Sequence, residues 1–439
     1  MADQCVCTEE LAILGGPKSF SVDPGTISTW PIITEEDESA VLEVLRRGGM
    51  SGTDVTKLFE ADFSAWTGME FALGYPNGTE SLRAAMWACG VGAGDEIICP
   101  SVTYWASAAP ALALGAAVNF AEIDPDTLCI APGDIEHRIG PRTKAIVVVH
   151  YAGYPADMDE IMEIAQRRGV KVIEDVSHAQ GSLYKGRLCG TIGDIGAMSM
   201  MAGKSLAIGE AGMMITNNRS LYERCIAYGH YERTGARSHY NPADQQITDD
   251  TLKLYSGVPL GGFKHRMHQL SSAVGRVQLR HYPARIAVIQ KAMNQFWDCL
   301  EDVPGVKAHR PAKDSGSTMG GWYYARGLYR AEELGGLPCA KFAEAVRAEG
   351  VGAANAGANA PLHTHNAFHT ADLFGVGKPT MVAWTDRDVR QAPGTLPISE
   401  SIADIVVGVP WLKQDCPEII EAYAAAYRKV ALQADKLLA

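Results

Sequence analysis

Lys204 lies in the stretch Ser199-Met-Met-Ala-Gly-Lys204-Ser-Leu-Ala-Ile-Gly209-Glu-Ala-Gly212, and Asp175 closes the apolar run Val172-Ile-Glu-Asp175, 29 residues earlier. A carboxylate at the end of a buried strand can keep a pyridine nitrogen protonated, and a lysine on a glycine-flanked loop can form a Schiff base with an aldehyde. Together they describe a site for pyridoxal phosphate (PLP). A PLP ring stabilises a substrate carbanion best when its nitrogen is protonated beside a carboxylate, the role open to Asp175. Lys204 must be neutral to condense with the aldehyde, and once substrate displaces it, it can move a proton between Cα and the cofactor. Each residue also has an ordinary reading. A strand-end Asp often caps a helix or closes a turn, and most lysines are solvated. It is the pairing that points to chemistry.

Holding these groups in place takes strands that end side by side. Residues 71–75, 96–99, 117–120, 145–150, 170–175 and 212–216 read as strands, and the run over 145–150 is apolar enough to be buried on both faces. Between and before them, helical spacing appears over 35–47, 56–67, 80–89, 104–114 and 159–168. Such alternation predicts an α/β fold with a mostly parallel central sheet and helices on both faces, with ligands at the carboxyl ends of the strands. A helical stretch begins around 267–285, and past about Pro304 the pattern shortens. Residues 322–329 alternate like a half-buried strand, and helices are expected over 339–348 and 417–438. The division predicted is an N-terminal arm over 1–30, a large cofactor-binding α/β domain over 31–290, and a smaller α+β domain over 291–439.

Asn77-Gly78-Thr79-Glu80 falls between a strand and a helix, where free N–H groups and the helix dipole favour a phosphate. Thr79 or Ser81 could add a hydroxyl, and Ser199 a second one. The same residues would also suit a plain turn with Thr79 as helix cap. Tyr104 or Trp105 could cover the cofactor ring. His363 and His365, with Trp322 and Tyr323, are candidates to line the pocket from the smaller domain. Two histidines at that spacing invite a metal reading, but no third ligand is visible and no metal is expected.

Composition narrows the partners. A net charge of −12 without long charged blocks argues against nucleic acid or an anionic membrane, and no apolar run reaches about 20 residues. The first ten residues are acidic and lack the pattern of a secretory leader, so the chain is expected in the cytoplasm. Most of the ten cysteines sit singly in apolar stretches, as expected of reduced core residues, and Cys5-Val-Cys7 reads as two free thiols in a tail.

The ordered set Gly78-Thr79, Pro100-Ser-Val-Thr-Tyr104, Asp124-Pro-Asp-Thr127, His150-Tyr-Ala-Gly-Tyr-Pro-Ala-Asp-Met-Asp159, Glu174-Asp-Val-Ser-His178 and Lys204 to Gly212 resembles the DegT/StrS-type sugar aminotransferases. The resemblance spans roughly residues 10 to 435. It implies the PLP-dependent transferase fold of type I, Lys204 as Schiff-base lysine and Asp175 as partner of the pyridine nitrogen. It also implies Tyr104 over the ring and Gly78, Thr79, Glu80 and Ser199 about the phosphate. The family is dimeric with shared sites, and the segment Gly262-Phe-Lys-His-Arg-Met267 matches the loop it lends to the neighbouring subunit. That puts Lys264 where an asparagine usually reaches the partner's phosphate.

The implied reaction moves an amino group from glutamate or glutamine to a ketone on a sugar or cyclitol, through a pyridoxamine form of the cofactor. His178 beside Asp175, and the opening Leu14-Gly-Gly-Pro-Lys18, resemble the branch acting on keto-cyclitols and aminobenzoate precursors. The alternatives are a dehydratase or synthase on the same scaffold, and a regulatory protein that keeps the cofactor without turnover. Dehydrating relatives replace the lysine by histidine, which Lys204 opposes.

Overall fold

The computed structural model describes residues 9–21, 25–235 and 245–438; Cys5, Cys7 and parts of the expected 1–30 arm lie outside these. Five strands follow the predicted positions: β1 (Phe71–Tyr75), β2 (Glu96–Pro100), β3 (Ala117–Ala121), β4 (Thr143–Val149) and β5 (Lys171–Asp175). After a two-strand ribbon, β6 (Leu183–Tyr184) and β7 (Arg187–Leu188), come β8 (Ile195–Ser199) and β9 (Gly212–Thr216). The seven-stranded sheet runs β1-β9-β8-β5-β4-β2-β3. Every neighbouring pair is parallel except the two that β9 makes, with β1 and with β8. The expected mostly parallel sheet is thus present, and its central strands carry Ile146, Val147, Val148, Val172 and Ile173 with no exposed surface.

Two helices expected before the sheet form as α1 (Glu35–Arg46) and α2 (Asp54–Thr67), and α3 (Gly78–Ala88) follows β1 directly. A continuous helix over 104–114 does not form. In its place are a 3₁₀ turn, Trp105–Ser107, and a short helix, Ala109–Ala113, with Pro110 in its first turn. Proline lacks an N–H and suits a helix start, so it restarts the chain there. The strand expected over 322–329 is confined to its end, because Trp322 and Tyr324 adopt φ values of 52° and 62°, outside any strand geometry.

A second, antiparallel sheet contains β10 (Val306–Ala308), β11 (Arg326–Tyr329) and β12 (Val406–Gly408). It packs with helices Cys339–Ala348 and Pro417–Ala431 around Phe342, Val346, Ile420 and Tyr427. The helix Gln269–Asp298 passes through the boundary expected at 290. Its Tyr282 and Ile286 belong to the large-sheet core, while Met293, Phe296 and Trp297 belong to the second core. Phe368, Met381, Leu396 and Ile402, expected with the smaller unit, pack instead into the large-sheet core. The reason lies at edge strand β3, whose backbone would otherwise be unpaired. Gln391 serves both donor and acceptor of Phe120, its Oε1 accepting the N–H at 2.9 Å and its Nε2 donating to the carbonyl. No helix among the described residues is long and apolar enough to cross a membrane.

Candidate active site

Asp175 is the last residue of β5, in register with Val149 of β4 and Ala197 of β8. It is buried, and it lines a cavity of about 320 Å³ at the carboxyl ends of the parallel strands. Ser107 Oγ donates to its Oδ2 at 2.7 Å, and the Ser177 N–H to its Oδ1 at 3.0 Å. Ser107 in turn meets Thr103 Oγ1 at 2.9 Å. These contacts orient the carboxylate and leave it lone pairs for a ligand. The sequence reading missed Ser107. Its place depends on the 3₁₀ turn that replaced the expected helix.

Lys204 is 8% exposed, and its Nζ lies over the Tyr323 ring, 4.1 Å from the centroid. Burial pushes its pKa down to about 8 against the opposing pull of Asp175. A far larger share of the amine is therefore neutral near physiological pH than in a solvated lysine, as condensation requires. Its loop is pinned on several sides. Trp30 Nε1 donates to the Lys204 carbonyl at 2.8 Å, and the Lys204 N–H returns to the Met201 carbonyl at 2.9 Å. Next to it, Ser205 Oγ donates to Gln180 Oε1 at 2.8 Å, while Gln180 Nε2 holds the Ser199 carbonyl at 2.6 Å.

The amino end of α3 forms the third side. Asn77, not Thr79, caps it, accepting from the Glu80 N–H at 2.9 Å. Gly78 and Thr79 line the cavity together with Ser199. A Cβ on Gly78 would fall 2.5 Å from Ser199 Cβ, and one on Gly212 would fall 2.3 Å from the Asn77 carbonyl oxygen. A side chain at Gly78 would force the helix end away from β8, and one at Gly212 would force it away from β9. Ser81 turns away, its Oγ donating to the Gly78 carbonyl at 2.8 Å. The Glu80 side chain is also not in the cavity. Its carboxylate pairs with His265 at 2.8 Å and with Arg83, so of the expected phosphate residues it contributes only helix position.

His178 lines the cavity, buried among Tyr151, Tyr323 and Tyr324. Its Nδ1 accepts the Ala152 N–H at 3.3 Å, which assigns the proton of the neutral ring to Nε2. Burial, and then the charges of Lys204 and Arg326, push its pKa well below 6.5. Tyr104 stands at the rim, 50% exposed and in contact with Trp105. From the second sheet's side Tyr323 lines the cavity as expected, joined by Tyr324 and Asn359, but Trp322 is buried elsewhere. His363 and His365 are not brought to the site. The first is locked between Ser101 Oγ at 2.7 Å and Glu400 at 3.0 Å, and the second caps a 3₁₀ turn. Among the described residues no group of three His, Cys, Asp or Glu could hold a metal. Lys264 is exposed and outside its own chain's cavity.

The arrangement fits PLP. The close approach that Gly78 and Gly212 allow sets a helix amino end against the cavity, which suits a phosphate, Asp175 has acceptor capacity to spare, and Lys204 lines the same cavity with a depressed pKa. The comparisons with known proteins agree. The chain is 33% identical over 381 residues to L-glutamine:2-deoxy-scyllo-inosose aminotransferase of Streptoalloteichus tenebrarius, covering 82% of this chain and 86% of that one. It is 33% identical over 286 residues to GDP-perosamine synthase of Escherichia coli O157:H7, covering 65% and 73%. In three dimensions it matches an aminotransferase from Psychrobacter cryohalolentis with a TM-score of 0.77 at 26% identity, covering 91% and 97%. The fold is that of the PLP-dependent transferases of type I, and the protein is a PLP-dependent aminotransferase of sugars or cyclitols. Residues 31–404 match the DegT/DnrJ/EryC1/StrS aminotransferase family, to which the chain therefore belongs.

Proposed function

We propose that the protein transfers the amino group of glutamine to the ketone of a cyclitol rather than to that of a nucleotide-linked sugar. One observation carries this choice: among the described residues lining the cavity, Lys204 is the sole lysine or arginine. From this chain's own lining, with Tyr324 in place, a diphosphate linker would meet no second cation, whereas an uncharged polyol needs hydroxyl and amide partners, which Tyr323, Tyr324 and Asn359 offer. The broad match to a glutamine-dependent cyclitol aminotransferase supports the same reading.

When bound, PLP supplies the electron sink that stabilises negative charge at the substrate carbon. The chain's own residues do the rest. Asp175, oriented by Ser107 and Ser177, holds a proton on the pyridine nitrogen. Lys204 takes and returns a proton at the substrate carbon, with its pKa near the working pH. The N–H groups opening α3, with the Thr79 and Ser199 hydroxyls, bind the phosphate. His178, with its proton on Nε2, and Tyr104 at the rim would help to hold the ring when it is bound.

The site is completed in a homodimer. Lys264 supplies a cation to the phosphate of the other subunit, and Leu254, Val258 and Leu260 lie exposed on the chain leading to it. A mixture of Lys204→Ala and Lys264→Ala proteins under exchange then regains turnover, because one of the two sites in a mixed dimer carries neither lesion. No gain over the separate variants sinks the shared site. For the acceptor, the measurement is the visible absorbance of the PLP-loaded protein. Glutamine converts it, and 2-deoxy-scyllo-inosose restores it while a nucleotide-linked keto-sugar does not. Restoration by the nucleotide sugar alone reverses the substrate assignment.

A further inference from the structure

Arg326 opens β11, opposite Gly408 of β12, and is 7% exposed. A guanidinium stays charged at any physiological pH, and burying one is costly unless an anion meets it. No such anion is present among the described residues. The Arg326 Nη1 donates to the neighbouring Ala325 carbonyl at 3.1 Å, and Nε is buried without any acceptor. The remaining contact is the ring of Tyr324, whose centroid lies 3.5 Å from Cζ. Stacking of that kind takes up none of the N–H groups, so the Nε and Nη2 edge, the edge that accepts a carboxylate in two parallel hydrogen bonds, stays open.

No charged partner lies in the surroundings among the described residues. Gly408 is fixed mainly by the backbone and side chain beside it, since a Cβ there would lie 2.3 Å from Asn355 Oδ1 and 2.5 Å from the Ala353 carbonyl oxygen, and 3.2 Å from Nη1 of Arg326. The groups that feel the charge, His178, Tyr151, Tyr323, Tyr427 and His309, are all neutral at physiological pH. Tyr324 is the partition. Its ring lines the cavity and also covers the guanidinium, and it is carried by a backbone with φ of 62°.

We infer that Arg326 is a carboxylate subsite behind Tyr324, and that it takes the α-carboxylate of the amino donor when the tyrosine ring turns aside. This rests on the reading that an amino acid is the donor. The position makes sense of the two half-reactions. A donor amino acid brings a carboxylate that must be fixed while Lys204 works at the adjacent carbon, and a cyclitol brings none, so one cavity accepts both if the cation is screened until needed.

The test uses the PLP-loaded protein and glutarate, an unreactive dicarboxylate, followed by calorimetry. Wild type binds it saturably, Arg326→Gln binds it about 100-fold more weakly, and Arg326→Lys, which keeps the charge and loses the fork, falls between. Tyr324→Ala, which removes the partition, binds it at least as tightly as wild type. In the donor half-reaction, Arg326→Gln raises the glutamine concentration for half-maximal spectral change about 100-fold and leaves the acceptor half-reaction within about threefold. Equal glutarate binding by wild type and both arginine variants overturns the subsite, and a defect confined to the acceptor half-reaction overturns its assignment to the donor. Should Arg326→Gln fail to fold, Arg326→Lys and Tyr324→Ala carry the same comparison. If glutamine leaves the wild-type spectrum unchanged while glutarate still binds through Arg326, the choice of donor fails and the subsite stands.

Discussion

Strand β5 ends in two adjacent carboxylates that face opposite sides of the sheet, and the molecule treats them differently. Glu174 is fully buried and its acceptors are filled: His150 Nε2 at 2.9 Å, and the N–H groups of Gly190, Ile192 and Gly193 at 2.7, 2.7 and 2.5 Å. Burial alone would raise its pKa, but the His150 contact and the backbone donors outweigh it and hold it low. Asp175 has one hydroxyl and one N–H, and the rest of it faces the cavity. The same side-chain chemistry thus ties a loop to the sheet on one face and is left available on the other. What separates the two carboxylates here is unfilled acceptor capacity, not burial.

The comparison can be broken in order of effect. Lys204→Ala removes the amine that Asp175 serves, and kcat for amino transfer should fall by at least about 10³-fold while far-UV circular dichroism is unchanged. Wild-type turnover in that variant would remove the whole site. Asp175→Asn should lower kcat by about 100-fold or more, since an amide cannot hold the pyridine proton, and should leave the urea midpoint nearly where it was. Glu174→Gln should do the reverse. Placing an amide NH₂ against two of the four donors, either the Ile192 and Gly193 N–H groups or the Gly190 N–H and His150, costs about 3 kcal/mol of stability, read from urea unfolding, with kcat per folded molecule little changed. If the two variants behave alike, the distinction drawn between the faces is wrong.

A finer measurement concerns the charge on Lys204. Its pKa is lower in the folded protein than in the unfolded chain, so the unfolded state binds more protons between about pH 8 and 10.5. The burial penalty is therefore fully present below about pH 8 and is relieved as pH rises towards 10.5. Lys204→Met should stabilise the cofactor-free protein by about 2 kcal/mol at pH 7, with the advantage shrinking by pH 10 in paired urea titrations. A pH-independent difference would mean that the amine is not desolvated. The smallest effect belongs to His178→Gln, which keeps a donor in place of Nε2 and should alter kcat/KM by only a few-fold. Because the imidazole is held neutral, wild type and variant should share the same profile between pH 6 and 7.5. A limb present in wild type alone would show that His178 titrates.

How much of this was legible beforehand depends on whether the signal was local. Asp175 and Lys204 stand at the ends of patterned segments, and their types alone suggested the cofactor. Strands rich in β-branched residues, such as β4 and β5, were equally plain. β8 was missed because Ile-Gly-Ala-Met-Ser carries little apolar bulk, and its strand state comes from being clamped between β5 and β9. Ser107 was hidden behind an apparently continuous helix, and Glu80 passed as a phosphate residue because nothing local reveals that His265, 185 residues on, claims its carboxylate. Arg326 sat within an alternation that looked like ordinary strand. Its meaning appears only as a missing partner, and an absence of partners cannot be read from one segment.

The hydrogen bond from Trp30 to the Lys204 carbonyl spans 174 residues of chain. The indole also packs against Trp411, and Lys413 Nζ donates to the Ser28 carbonyl at 2.8 Å. Lys204 is thus tethered to a stretch 174 residues before it and, through that stretch, to the segment around Trp411 well after it. Closing loops of that length brings a large entropy cost before any contact rewards it, so this corner of the molecule is assembled late. The parallel sheet can therefore form while the Lys204 loop is still unsecured, so the wall of the cavity that this loop builds is among the last to be fixed.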